Sequence, residues 1–500
     1  MRASPPKLAP VSGARAASGV RAVYRRFSSP PRFPHHPRES GSILVSLLWC
    51  LALLSLLVLG LLHSARLDLQ IARHHADRIQ ARYLALAGVE RATALLYHDA
   101  RERSRSAQSH RGTLFNQPAQ FRDIPLGRGS YRILRGGQPD EGGGLVYGVS
   151  DEESRLNLNT ADADMLGRLP FITPDLPPAI LDWRDPDNAV TPGGGAEQDY
   201  YVGLQPPRLP RNAPFYSVRE LLQVRGIPPE LFWGDDPRGT GLPPSADVDE
   251  GEPFSGAASL SETPGWVSLL TVHSGVRNLN ATGQERVSLS TADEAALTAV
   301  PGVTAAIARA IIAHRGQNRF NNVAELLDVR AAPPPGETPV APPQLPPQAM
   351  PVPNFPISDM PAPGQAPGGP PVIDQTLFLE LADSFTTSDD SLETGLINVN
   401  TAGVDVLVCL PGVSRELAHA IIAFRRANGF LANIGWLLRV PGMTPDTLKA
   451  IAPRVTTRSE TFRILAEGRI KSSGVRQRLQ TVVRVGLSEV ETLAYREDDL

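Results

Sequence analysis

Between residues 182 and 201 the chain concentrates oxygen-bearing side chains around a glycine run. Asp182-Trp183-Arg184-Asp185-Pro186-Asp187-Asn188 comes first, then Gly193-Gly194-Gly195, then Glu197-Gln198-Asp199-Tyr200-Tyr201. Carboxylates gathered on such a loop are hard ligands, and hard oxygen ligands suit calcium. The regular Asp-x-Asp-x-Asp-Gly order of an EF-hand is absent, so the competing reading is an acidic loop served by water alone. No catalytic constellation emerges elsewhere. Gly142-Gly143-Gly144 and Gly193-Gly194-Gly195 lack the strand-to-helix context and the Lys-Ser/Thr of a phosphate loop, and His74-His75 lies on an amphipathic helical stretch. The chain is expected not to be an enzyme.

The elements that must position the acidic stretch belong to a threefold repeat. Leu156-Asn157-Leu158-Asn159-Thr160-Ala161, Val287-Ser288-Leu289-Ser290-Thr291-Ala292 and Ile397-Asn398-Val399-Asn400-Thr401-Ala402 are each followed by a proline, at Pro170, Pro301 and Pro411. The register continues through Ala179-Ile180-Leu181, Ala310-Ile311-Ile312 and Ala420-Ile421-Ile422, then Arg184, Arg315 and Arg425, and closes on Leu221-Leu222-Gln223-Val224, Leu326-Leu327-Asp328-Val329 and Leu437-Leu438-Arg439-Val440. Asn-x-Asn-Thr-Ala reads as a helix entry, where Asn or Thr accepts from unpaired backbone amides. Pro301-Gly302-Val303 and Pro411-Gly412-Val413 read as tight turns between two short helices. Each copy resembles a helix-hairpin-helix unit, and Val440-Pro441-Gly442-Met443 with Leu448 and Ile451 resembles a second hairpin paired with the third copy.

Such tandem hairpins also bind DNA, which makes a membrane-anchored DNA receptor outside the cytoplasm the alternative function. In DNA-binding hairpins a glycine on each side of an apolar residue lets backbone amides approach a phosphate. Here Thr173, Thr304 and Ser414 occupy the second of those positions, and Phe171 replaces the first in copy one. Copy one, Asp151 to Trp233, carries a net charge of −6, the second copy is neutral, and the third is about +3. Phosphate affinity rests on clustered cations, so the pattern argues against nucleic acid.

The N-terminal region is of another kind. Residues 1–41 carry eight Lys/Arg against Glu39, a net +7 in a chain whose total is −3. Ser42 to Leu62 then has no charge, and at about 1.5 Å per residue it can cross a bilayer core of about 30 Å. The cationic flank favours a cytoplasmic N-terminus with the bulk of the chain outside. No proline occurs between Pro37 and Pro118, and Leu67, Ile71, Ile79, Leu84, Leu86, Leu95 and Leu96 continue an apolar stripe at helical spacing. One helix of about 55 to 60 residues is expected, apolar all round at first and amphipathic afterwards.

The chain has 48 prolines and 43 glycines in 500 residues, so several units joined by connectors are expected. Cys50 and Cys409 imply no disulfide framework. In Ala331 to Pro371, 16 of 41 residues are proline, and that stretch is expected to be an extended tether. Tyr131 to Leu134, Leu145 to Val149, Trp266 to Val272, Phe462 to Ala466 and Leu479 to Val485 read as strands.

Arg38-Glu39-Ser40-Gly41 followed by the span resembles a type IV prepilin leader, which implies processing by prepilin peptidase between Gly41 and Ser42. Most pilins carry glutamate at the fifth mature position. Ser46 stands there in this chain, as in the K-type minor pseudopilins of type II secretion, which lack that carboxylate. Tyr83-Leu84-Ala85-Leu86-Ala87-Gly88-Val89-Glu90 is similar to their stem, and the stretch from Asp182 to Tyr201 is similar to the part of their helical domain that binds calcium.

The resemblance implies an α+β fold, with a long N-terminal transmembrane and stem helix packed on a small antiparallel pseudopilin sheet and a large inserted α-domain of helix-hairpin-helix-like units. It implies a tip subunit that joins I-type and J-type minor pseudopilins in the bacterial inner membrane, single-pass, with its bulk in the periplasm. It also implies calcium, with Asp185, Asp187, Glu197 and Asp199 as ligands.

The expected division is a leader (1–41), a span (42–62), an amphipathic stem (63–104), strands (105–150) and a first helical repeat (151–235). A linker (236–262), a strand region (263–280), a second repeat (281–330), a proline-rich linker (331–371) and a connector (372–394) follow. The third repeat (395–456), the closing strands (457–490) and a tail (491–500) complete it. K-type proteins usually have two hairpin-like units, so the middle copy departs from the family pattern.

Overall fold

The computed structural model describes residues 42–106, 112–138, 141–234, 236, 239–240, 242, 265–331 and 370–497. The leader with Gly41, most of the 236–262 linker and residues 332–369 of the proline-rich stretch lie outside the described residues. Two compact units divide after Gln70.

A single helix runs from Ser42 to Ser106, 65 residues, as the absence of proline allows. Its apolar start, from Ile43 to Leu62, is exposed, and the helix is long and apolar enough to cross a membrane.

From Ile71 onward the same helix forms the spine of the second unit. Ala81, Leu84, Ala85, Val89, Ala92, Leu96 and Ala100 are buried along it at three- and four-residue spacing. Ala85, Val89, Ala92, Leu96 and Ala100 pack on Phe121 and on Ile133, Phe462, Ile464, Ala466, Leu479 and Val483 of an antiparallel sheet, and Ala81 and Leu84 pack on Tyr131, Ile470 and Val475. Small residues let the two layers approach. A Cβ on Gly88 would lie 3.0 Å from the Tyr131 ring, and one on Gly468 would strike the Ala81 and Ala85 backbone.

The sheet order is Ile124–Leu126, Gly129–Gly136, Thr461–Ile470, Arg476–Val485, Val490–Arg496. Leu145–Val146 pairs with the second of these and Ser150–Asp151 with the third. The last strand extends into what the sequence suggests is a tail, and it is tied to the helix by the Arg82–Glu497 ion pair at 2.5 Å. On the face turned from the stem, Glu467 pairs with Arg132 and Arg478 at 2.8 Å each, joining three neighbouring strands.

All of the helical head is inserted between Asp151 and Thr461, so the sheet is completed by chain segments about 300 residues apart. The head's three copies share one plan and one apolar core, to which Leu158, Leu166 and Ile180, Leu289, Leu297 and Ile311, and Val399, Leu407 and Ile421 contribute equivalently.

Each copy opens on a two-residue strand and is closed by a parallel partner. Leu156–Asn157 pairs with Leu270–Thr271, Val287–Ser288 with Phe385–Thr386, and Ile397–Asn398 with Val455–Thr456. This corrects the helix-entry reading of Asn-x-Asn-Thr-Ala. Asn157 and Asn398 instead accept from the amides of Asn159 and Asn400 in tight turns after the strand. The first helices start later, capped by Asp162 and Asp293, which accept from Met165 and Ala296, or at Gly403 without a side-chain cap.

Two further expectations change. Trp266 to Val272 is not one strand: Trp266–Leu269 is a helical turn, and only Leu270–Thr271 is extended. Residues 372–394 are not a mere connector. Asp374 caps the helix Gln375–Leu381, the counterpart of Pro445–Ile451 in copy three, where Thr444 is the cap. The Val372 amide donates to the Val329 carbonyl at 3.0 Å, as Met443 does to Val440 at 3.1 Å. The proline-rich stretch thus interrupts the second hairpin of copy two at its turn, and the copy is completed after it.

Candidate metal centre

The acidic stretch is placed by the second helix of copy one, Leu176–Arg184. That helix stops after Arg184 because Asp185 turns extended ahead of Pro186, whereas the equivalent helices continue to Gln317 and Asn428. The chain returns through Gly193 and Gly194, at φ of 102° and 137°, which a side chain would rarely adopt. Glu197 then leads into the short helix Gln198–Val202. Trp183 and Tyr201 stack edge to face at 5.1 Å beneath the loop, and the Arg225 side chain donates to the Gly195 carbonyl at 3.0 Å.

One carboxylate oxygen from each of Asp182, Asp185 and Glu197 comes within 4.8 Å of the others. Asp182 is wholly buried and accepts from the Thr191 amide at 3.2 Å. Glu197 is 3% exposed, and neither of its oxygens has a hydrogen-bond partner; Asp185 Oδ1 and Asn212 Oδ1 are likewise buried without one. Burial, with the charges of Asp182, Asp185 and Asp187 added, pushes the Glu197 carboxyl up to about 7. Asp185 is raised by burial and by the charges of Asp187 and Asp182. Buried acceptors without donors are costly, and a hard divalent cation satisfies them, so this residue set fits such an ion.

The group differs from the expected ligand set. Asp185 and Glu197 belong to it. Asp187 lies beside it with Oδ1 accepting from the Ala189 amide at 2.7 Å, and Asp199 is exposed on the first turn of the following helix. Asp182 takes a place in its stead. The signal for it is its place in the last turn of the helix, three residues before the Asp185 that ends it.

The hairpins were the other candidate site, and their polar groups are turned inward. Arg425 donates from Nη1 to the carbonyls of Val399 and Ala402, at 2.9 and 2.8 Å. Arg315 does the same to Leu289 and Ala292, and Arg184 donates to Leu158 from Nη1 and to Ala161 from Nη2. Gly302 and Gly412 hold the turns at φ of 90° and 73°, and Phe171 is forced to 60° in copy one. Thr304, Ser414 and Thr444 accept from the amides of Ile307, Leu417 and Thr447, at the helix starts where a phosphate would sit. A DNA-binding role is not favoured.

The fold defines a membrane-anchorable α+β protein: one long helix, an antiparallel sheet on its second half, and a helix-hairpin-helix head with an acidic triad of two buried and one half-buried carboxylates. Residues 155–233, which contain that triad, match the family model "Type II secretion system (T2SS), protein K", and residues 282–334 and 393–456 match the helix-hairpin-helix motif. These matches show a protein K domain and helix-hairpin-helix units within this chain.

Type II secretion system protein K of Aeromonas hydrophila is 46% identical over 54 residues, 11% of this chain and 16% of that protein. The Klebsiella pneumoniae protein K is 29% identical over 202 residues, 39% of this chain and 60% of that protein. An endonuclease/exonuclease/phosphatase family domain-containing protein 1 of Mus musculus is 29% identical over 173 residues, 34% of this chain and 28% of that protein. The chain thus spans less than two thirds of each of these relatives. The crystal structure of the GspK-GspI-GspJ complex from enterotoxigenic Escherichia coli is similar at a TM-score of 0.40 and 12% identity, covering 85% of this chain and 98% of that one, too loose a likeness to carry an argument.

Proposed function

We propose that this chain is a minor pseudopilin that caps the type II secretion pseudopilus, assembling with I-type and J-type minor pseudopilins to initiate the fibre and support export across the outer membrane. The observation that carries the reading is the protein K domain, with its acidic triad, inserted in a sheet that packs on the amphipathic half of an apolar-tipped helix. The apolar half of the helix anchors the chain in the inner membrane with the head in the periplasm, and the helical bulk leaves no room for a further subunit beyond it. Ser46 in place of a buried glutamate suits a subunit with none ahead of it, since an unneutralised carboxylate in lipid is costly. The chain acts by assembly rather than catalysis.

Calcium is proposed at Asp182, Asp185 and Glu197, with Asp187 adding charge beside them. Bound there, the ion would tie the end of the Leu176–Arg184 helix to the returning loop and stiffen the head.

Processing by prepilin peptidase follows from the same reading. With Gly41→Val, precursor should accumulate in the membrane and secretion should stop; a variant that matures and secretes normally would contradict the proposal.

A further inference from the structure

The graft between sheet and head is made by three consecutive acidic residues. Asp151 ends the strand Ser150–Asp151, and Glu152 and Glu153 carry the chain into copy one. Asp151 is 4% exposed and the other two are wholly buried. Glu152 is answered by cations: Arg463 Nε lies 2.6 Å and Arg155 Nε 3.9 Å from its Oε1. Asp151 and Glu153 are held differently.

Asp151 Oδ2 accepts from Ser459 Oγ at 2.6 Å, from Asn398 Nδ2 at 3.2 Å and from the Thr401 hydroxyl, while Oδ1 accepts from the Glu153 amide at 2.9 Å. Glu153 accepts from the Gly275 amide at 3.0 Å and the Thr461 amide at 3.2 Å, and the Glu153 carbonyl takes the Asn398 amide at 2.8 Å. The two acids share one buried pocket, joined through the Glu153 amide on Asp151 Oδ1, and among the described residues neither makes an ion pair with a cation, which favours one negative charge there over two. The donors come from the segment that follows copy one, from both ends of copy three, and from the first residue of the central strand.

We propose that Asp151 and Glu153 form a one-proton lock that fastens the helical head to the sheet, and that loss of the proton as pH rises loosens this graft. Two buried carboxylates in one pocket strongly disfavour both being charged without a cation between them. Burial and the neighbouring Asp151 charge raise Glu153 well above the ordinary glutamate range, and burial raises Asp151. A raised acid contributes stability that is complete below its unfolded value and is lost as pH rises through its folded value.

The surrounding charged groups act elsewhere on the pH axis or lie outside the shared pocket. On the same turn, Glu152 is held at about 2 despite its burial, by Arg463 and Arg155, so its contribution is lost only in strong acid. From the end of copy one, His273 is lowered by burial, and the Arg277 amide donates to Glu460, itself raised by burial. From the sheet, Arg484 donates to the His273 carbonyl at 3.5 Å.

The test is thermal unfolding of the full chain in detergent micelles from pH 5.5 to 9, compared with Glu153→Gln, whose amide is uncharged at every pH. The wild-type Tm should fall as pH rises across the range more steeply than the variant's; equal slopes would overturn the lock. If Glu153→Gln does not fold, infrared spectra of the unmodified chain serve. A buried protonated-carboxyl band at neutral pH that bleaches on alkalinisation supports the lock, and its absence at neutral pH refutes it.

Discussion

Arg425 reaches back across its hairpin to the carbonyl oxygen of Val399, 2.9 Å away, and the same nitrogen serves Ala402. The side chain is 8% exposed, so the two carbonyls have little access to water in its place. Arg425→Met should therefore destabilise the head by about 2–4 kcal/mol, since charge-assisted bonds are lost and buried acceptors are left unpaired. Chemical denaturation of the purified chain measures this. Arg315→Met, at a less buried clamp, should cost less. If Arg425→Met were neutral to stability but weakened duplex DNA binding, the inward role given to these arginines would be wrong.

The hairpin turns make a second comparison. Gly412 sits at φ 73° and Phe171, in the same place in copy one, at 60°, with the Phe171 side chain exposed. A side chain in this region costs about 1–2 kcal/mol. Gly412→Ala should lower stability by about that amount, and Phe171→Gly should raise it by up to about 1 kcal/mol after the added freedom of the unfolded chain is allowed for. Tm shifts of opposite sign are expected from differential scanning calorimetry.

The acidic triad predicts a pH-dependent response to calcium. In the metal-free chain Glu197 contributes stability that is complete below the ordinary glutamate range and lost as pH rises through about 7. Calcium should therefore stabilise the chain most above pH 7, by about 3 kcal/mol at a hundredfold excess over Kd, and least near pH 5, where protons compete. Asp182→Asn and Glu197→Gln should abolish the calcium-induced rise in Tm, and Asp199→Asn should leave it intact. A rise lost equally in all three variants would contradict the assigned ligand set.

What was legible in the sequence is what depends on local period and register. The stem follows from helical spacing without proline, and the three hairpins follow from turns and Ala-Ile/Leu faces that repeat at fixed offsets. The parallel pairing that closes each copy was not legible: two-residue strands such as Leu270–Thr271 have no period of their own, and the partner Leu156–Asn157 lies more than a hundred residues earlier. In the sequence copy two ends at Val329 because the proline-rich stretch parts its second hairpin, which the Val372–Val329 and Ala331–Pro370 hydrogen bonds rejoin. Asp185 and Glu197 stood out as acidic residues on a loop. Asp182 did not, because its role depends on the glycine-assisted return that brings Glu197 back over the helix end.

The central claim is that this chain is a processed, membrane-held subunit of a pseudopilus tip. It is tested most directly by cross-linking membranes of the producing cell, isolating the complex that contains this chain, and determining its partners and N-terminus by mass spectrometry. The account predicts a chain beginning at Ser42 in complex with I-type and J-type minor pseudopilins. A chain that keeps residues 1–41, or one isolated with no pseudopilin attached, would contradict it.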